Sequence, residues 1–269
     1  MTIDKDLWDK SFGALDPSSL PSWPCPACGN SVVLDRNSLN YRKNAVQYNP
    51  ADFQNENFEE NLWLGLLTAF ATAYEKMQWI QHKFVGFLEC KRCGETIAFS
   101  GRAEIPRKGT SQASYLRTKI YPEYFSPPLP FFSLDNRYPT SIKQSINKSF
   151  GLVFNDAASA AGSIRQAIES LLDELGIPRD SQDKRRLTLH DRIKKFGEVN
   201  KEHAELLDAI RFLGNEGSHS GKINRKDLIS TFEVLDHVLD EIFIRSEMRK
   251  KIMDSGKDLA DTYRPKAKS

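Results

Sequence analysis

The sequence predicts a mainly α protein, a helical bundle preceded by a small β module that carries a helical insertion. Three observations predict it. Two C-x-x-C-G knuckles, Cys25 to Cys28 and Cys90 to Cys93, are each bordered by β-branched and aromatic residues that favour short strands. The 61 residues from 29 to 89 that separate them include a run with helical periodicity. From residue 139 onward, apolar residues recur at intervals of three and four.

The knuckles come first because they carry the clearest chemistry. In "PCPACGN" and "LECKRCGET" a glycine follows the second cysteine, where it lets the chain turn tightly enough for amides to face the sulfurs. Four thiolates with none left over suit one tetrahedral zinc ion, and a site of four thiolates leaves no open coordination position. The residues therefore predict a zinc ribbon in which Cys25, Cys28, Cys90 and Cys93 hold a structural zinc. Paired cysteines also fit a reducing compartment, and the polar, acidic start "MTIDKDLWDK" is unlike a signal peptide. No stretch reaches the roughly 20 apolar residues of a membrane span, so a cytoplasmic protein without a membrane partner is expected.

A compact ribbon separates its knuckles by far fewer residues, so something folded is expected between them. "NENFEENLWLGLLTAFATAYEKMQWIQHKF" places Leu62, Leu66, Leu67, Phe70, Tyr74 and Met77 at helical spacing after an acidic start, which predicts one amphipathic helix over about 57–81. Residues 1–105 thus form a zinc-ribbon module with an inserted helix. Pro122, Pro127, Pro128, Pro130 and Pro139 then mark 106–138 as a proline-rich connector, with one or two short strands at its start and its aromatics packed on a domain.

Residues 139–253 read as the bundle. A helix, or two joined near Gly151–Asn155, runs from Thr140 to a stop at Gly176. Shorter helices follow in "TLHDRIKKFGEV" and "KEHAELLDAIRFLGNEGSH". A long last helix begins at "NRKDLISTFEVL", with Leu228, Phe232, Leu235, Val238, Leu239, Ile242 and Phe243 in one stripe. A charged tail occupies 254–269. Net charge is only +2, from 38 Lys and Arg against 36 Asp and Glu, which excludes nucleic-acid binding by bulk electrostatics. The balance is nonetheless uneven: residues 1–100 carry 9 basic and 12 acidic side chains, leaving 29 and 24 for the remainder.

The order "SAAGSIRQAIESLLDELGI", "LHDRI", "LLDAIRFLGNEGSHSG" and "DLISTFEVLDHVLDEIF", over roughly 120–244, resembles the bacterial family named domain of unknown function 4145. Its two motifs are Arg165-x-x-x-Glu169 and Gly214-Asn215 followed by His219. That family is similar to the HEPN helical bundles, many of which are metal-independent ribonucleases or RNA-binding partners in phage-defence and toxin systems. The resemblance implies an HEPN-like bundle that binds or processes RNA in a bacterial defence or toxin–antitoxin setting, and that pairs as a homodimer. HEPN ribonucleases carry an arginine, a polar residue and a histidine as R-x(4–6)-H. The resemblance makes His219, Arg211 and Asn215 the catalytic candidates, supported by Arg165, Glu169 and Gly214. Gly214 stands where the motif arginine falls, and Arg211 lies eight residues before His219. If the chain is an enzyme, it is expected to be a metal-independent endoribonuclease.

Other readings stay open. His219 can be a helix-terminal histidine bonded to a carbonyl, Arg165 and Glu169 an ordinary i, i+4 ion pair, and Asn215 the closure of a turn. Gly214 and Gly217 predict that the helix breaks there. The alternative function is a non-catalytic module that dimerises or docks on a partner defence protein, possibly associated with DNA.

Overall fold

The computed structural model describes residues 3–45, 79–107, 117–220 and 223–263, with backbone alone for 214–220. Two compact units divide the chain, one spanning Asp4–Pro130 and the other running from Phe131 onward.

The first unit opens with α1 (Lys5–Ser11), whose N-terminus is capped by the Asp4 carboxylate accepting from Leu7 N. Four antiparallel strands follow, β1 (Val32–Lys43), β2 (Trp79–Cys90), β3 (Thr96–Pro106) and β4 (Lys119–Ser126), paired in the order β1-β2-β3-β4. The strands alternate as a sheet with one covered face must. In β2, Phe84, Leu88 and Cys90 are buried while Val85 and Phe87 are exposed; in β3, Ile97, Phe99 and Ala103 are buried. On the covered face Trp23 packs edge-on against Phe125, with ring centroids 5.3 Å apart, and its Nε1 donates to Ser11 Oγ at 2.8 Å. The β1 pairing shifts register between Asp35 and Asn40, where Ser38 Oγ accepts from Phe87 N at 2.8 Å and replaces a ladder bond.

This sheet corrects the predicted fold class. Strands of 12, 12, 11 and 8 residues make the protein mixed α/β rather than a mainly α chain with a small ribbon. The stretch 106–138, expected as a connector, supplies β4. Its Pro122 is tolerated because β4 lies at the sheet edge, beside a register shift between Ser100 and Gly101, where a missing N–H breaks no ladder. The helix expected at about 57–81 falls outside the described residues as far as 78, and Trp79, Ile80 and Gln81 belong to β2.

The second unit contains α2 (Thr140–Leu152), α3 (Ala157–Glu174), α4 (Leu189–Gly197), α5 (Lys201–Ser220) and α6 (Arg225–Leu239); a π-helical turn over Asp240–Arg245 leads into α7 (Ser246–Tyr263). Of the two arrangements expected before Gly176, the pair of helices is the one that forms, with Asp156 capping α3 through Ser159 N. Gly176 ends α3 at φ 72°, its N–H bonding Asp173 O while Ile177 N bonds Leu172 O, the double closure that only a left-handed residue allows. The core is aromatic. Phe131 and Phe132, from the proline-rich stretch, meet Phe150 and Phe232 at centroid distances between 4.9 and 6.3 Å. Arg225 ties α6 to the end of α2, donating to Val153 O at 3.2 Å and Phe154 O at 2.9 Å. The tail expected from 254 is helical as far as Tyr263.

Candidate functional site

Both knuckles fold the same way. Cys25 N donates to Asn30 O and Gly29 N to Cys25 O; Cys90 N donates to Glu95 O and Gly94 N to Cys90 O. Gly29 and Gly94 sit at φ 72° and 78°, in the left-handed region, and allow the tight turns that the sequence predicted. The first knuckle leads into β1 and the second joins β2 to β3, so pairing of β1 with β2 brings the two together. All four Sγ atoms lie within 4.8 Å of one another, with Cys25 to Cys93 at 3.6 Å and Cys28 to Cys90 at 3.5 Å. The four cysteines are close enough to hold a metal ion.

The electrostatics fit such a cluster. The Asn30 amide holds the Cys28 thiol down at about 6, and Asn30 Nδ2 lies 3.5 Å from its sulfur. The Glu95 amide favours the Cys93 thiolate, yet the crowding sulfurs of Cys28, Cys90 and Cys25 outweigh it and push that thiol up to about 12. Burial raises Cys25 as well. Sulfurs this close cannot all carry charge unless a cation balances them.

In the second unit, α5 runs unbroken through Gly214 and Gly217 to Ser220, which corrects the expected glycine-bent turn. Helical register then puts Arg211, Asn215 and His219, spaced by four, along one side of α5. Arg211 Nε donates to Asp208 Oδ1 at 2.6 Å, and its guanidinium lies 4.3 Å from the Phe212 ring centroid. The same Asp208 oxygen lies 3.3 Å from His190 Nδ1, contributed by α4. Arg211 and then His190 keep the Asp208 carboxyl below the usual carboxylate range. His190, Asp208 and Phe212 also border an open groove of about 650 Å³ between α4 and α5. The side chains of Asn215 and His219, and the surroundings of Gly214, lie outside what the structure describes. Arg165 and Glu169 form the i, i+4 pair that their spacing suggested, at 3.6 Å on half-exposed side chains.

Residues 147–257 match the family described as Domain of unknown function (DUF4145). No curated protein matches the chain, and no solved structure does. The DUF4145 region takes in all of α3 to α6 and so contains Arg165, Glu169, His190, Asp208, Arg211 and His219.

Two residues of the DUF4145 region were missed in the sequence. His190 has no other histidine at a ligand spacing to signal it, and its partner is a carboxylate. Arg192 lies on the apolar stripe of α4 with Leu189, Ile193 and Phe196, and is buried at 4% exposure. A charged residue on a core stripe is a legible signal, because such groups are rarely buried unless paired. Arg192 Nη2 donates to Asp173 Oδ1 at 2.7 Å and to Ile177 O at 2.9 Å. Among the described residues no helix is long and apolar enough to cross a membrane.

Proposed function

We propose that the helical unit is an HEPN-like module that binds or processes RNA, and that the four cysteines hold a structural zinc ion in the sheet unit. A zinc–thiolate tetrahedron with bonds of about 2.3 Å has edges of about 3.8 Å. The sulfur separations of 3.5 and 3.6 Å are close to that figure. Zinc would supply a fixed cross-link between the knuckles, and the chemistry would belong to the helical unit.

The observation that carries the RNA reading is the Asp208 carboxylate, which gathers the His190 imidazole and the Arg211 guanidinium on the helix that continues to His219. RNA cleavage without a metal needs that pair of groups. A neutral imidazole takes the proton of the ribose 2′-OH as the 2′ oxygen bonds to phosphorus. The bond from phosphorus to the 5′ oxygen breaks, a protonated imidazole supplies the proton that the leaving oxygen needs, and a guanidinium offsets the phosphorane charge. In this reading His190 fills one imidazole role and Arg211 offsets the phosphorane charge, with Asp208 fixing both; His219 lies eleven residues, about 16 Å, beyond Asp208 on α5, so the second imidazole would come from a second copy of the chain.

The test is incubation of the purified protein with single-stranded RNA in EDTA at low salt, beside His190→Ala, His219→Ala and Arg211→Ala. Each variant is expected to lose RNA cleavage by about a hundredfold or more with little change in melting temperature. A protein with no RNA affinity even at low salt, where phosphate contacts are strongest, overturns the reading.

A second reading has its own observation. None of the residues of α7 is buried, and Met248, Ile252, Leu259 and Tyr263 are 54, 67, 61 and 78% exposed along one line of it. This stripe favours a dimerisation module that pairs α7 with α7 of a second copy.

A further inference from the structure

The DUF4145 region holds a second set of groups that the RNA reading leaves unused. A cavity of about 200 Å³ lies between α3, α4 and the segment joining them. Four guanidiniums border it, those of Arg165, Arg179, Arg186 and Arg192, together with Glu169 and Thr188. Among the described residues, the carboxylates of Glu169 and Asp173 pair with these cations. Glu169 pairs with Arg165 at 3.6 Å, and Asp173 is shared between Arg192 and Arg179, which donates through Nε at 2.9 Å. Arg179 is the main cause that keeps the Asp173 carboxyl below the usual range, so that carboxylate is already committed. Arg186 has no carboxylate within ion-pair distance among the described residues. The surplus is positive.

Arg192 makes the cavity more than a patch of surface arginines. It is 96% buried, its two Nη atoms bond Glu169 O, Asp173 and Ile177 O, and its Nε finds no acceptor among the described residues. A buried charged donor left unmade is costly, and its usual explanation is a water or ligand that completes it. The cavity mouth also adjoins the N-terminus of α4, whose dipole favours an anion, although Thr188 and Asp191 already satisfy each other there in a capping box. Arginine forks match the tetrahedral oxygens of phosphate, and a space of this size holds such a group with a few waters but no nucleobase beside it.

We propose that this cavity binds a phosphate dianion, either inorganic phosphate or the terminal group of a phosphomonoester. The neighbouring cavity gives the second source somewhere to extend. It measures about 570 Å³, is bordered by Lys148, Ser159, Ser163 and Gln166, and shares Arg165 and Glu169 as a common wall. The proposal does not depend on RNA chemistry at α5.

Isothermal titration of the full chain with inorganic phosphate, with a nucleoside 5′-monophosphate and with the unphosphorylated nucleoside tests it. Saturable one-to-one binding of phosphate alone assigns free phosphate; binding of the monophosphate but not of phosphate assigns a phosphomonoester. The nucleoside is expected not to bind. Arg186→Gln, at an exposed position, is expected to weaken binding by about tenfold while leaving the melting temperature of the unliganded protein unchanged. Arg192→Met is expected to abolish binding, and Arg186→Gln stands in for it if that variant does not fold. Absence of saturable binding by both phosphate ligands overturns the proposal, as does equal affinity in Arg186→Gln. RNA cleavage by Arg186→Gln should match that of the unchanged protein, which separates failure here from failure at α5.

Discussion

Gly101 has almost no room for a side chain. A Cβ there would stand 2.1 Å from Tyr121 O and 3.0 Å from Glu123 N, both backbone atoms of β4. Gly101→Ala must therefore push β4 away from β3, and it is expected to cost about 2–4 kcal/mol. Tryptophan fluorescence during urea unfolding reads the effect in the right place, since Trp8, Trp23, Trp63 and Trp79 all precede Pro130. Asp236 offers a different kind of test. Burial, with Asp240 one turn on, raises its carboxyl to about 6. A carboxyl raised in the folded state adds stability at low pH, and that contribution is lost as pH climbs through the folded value. The protein should therefore lose stability between about pH 4 and pH 7, while Asp236→Asn should lose less and be the more stable of the two at pH 7.5, by about 1 kcal/mol after discounting for partial exposure. Melting temperatures across that range check the sign. Residue identity was legible where chemistry fixes it, as at the four cysteines and at Gly29, Gly94 and Gly176. It was not legible at His190 and Asp208, which are 18 positions apart and meet only once α4 packs on α5.

At the scale of elements, the sequence misjudged two features for opposite reasons. Gly214 and Gly217 each cost a helix about 1 kcal/mol relative to alanine, which argues for a break. Thirteen helical residues precede Gly214 in α5, and extending a formed helix is far easier than starting one. In β4 the error ran the other way. The prolines made 106–138 read as a connector with only one or two short strands at its start, whereas β4 runs eight residues through Pro122, because an edge strand has one side that needs no partners and a register shift interrupts its alternation. The stripe of α7 belongs to this scale too. The buried run Leu228, Phe232, Leu235, Leu239 stops at the π-helical turn, which shifts the register, and no residue of α7 beyond it is buried, so Met248, Ile252 and Leu259 do not extend the face that the bundle covers. If that stripe is a self-association surface, light scattering at tens of micromolar should give a dimer, and Ile252→Glu with Leu259→Glu should give a monomer of unchanged helicity. A monomeric unchanged protein defeats the pairing.

For the whole molecule, the division at Pro130 sets up a separation that chelation can expose. If zinc holds the knuckles, metal analysis should find about one zinc per chain, and a strong chelator should shift tryptophan fluorescence by loosening the sheet unit. The far-ultraviolet helical signal of the unit after Pro130, which holds most of the helix among the described residues, should persist under the same treatment. Loss of both signals together would mean that the two units do not unfold separately. The sequence located the knuckles and the helices of the second unit because each leaves a local periodic or spaced trace. It did not reveal the extent of the sheet, because strand pairing joins residues such as Val32 and Cys90 that no local pattern connects. The α7 stripe carries one last implication, which concerns size. From Met248 to Tyr263 is 15 steps along a helix, about 22 Å. A small molecule can touch one or two of those side chains and leave the rest in water, whereas a rod or an extended chain of matching length can cover them all. The length of the exposed line thus selects its occupant before any charge or shape is considered, and it selects another protein segment at least as long as about four turns of helix.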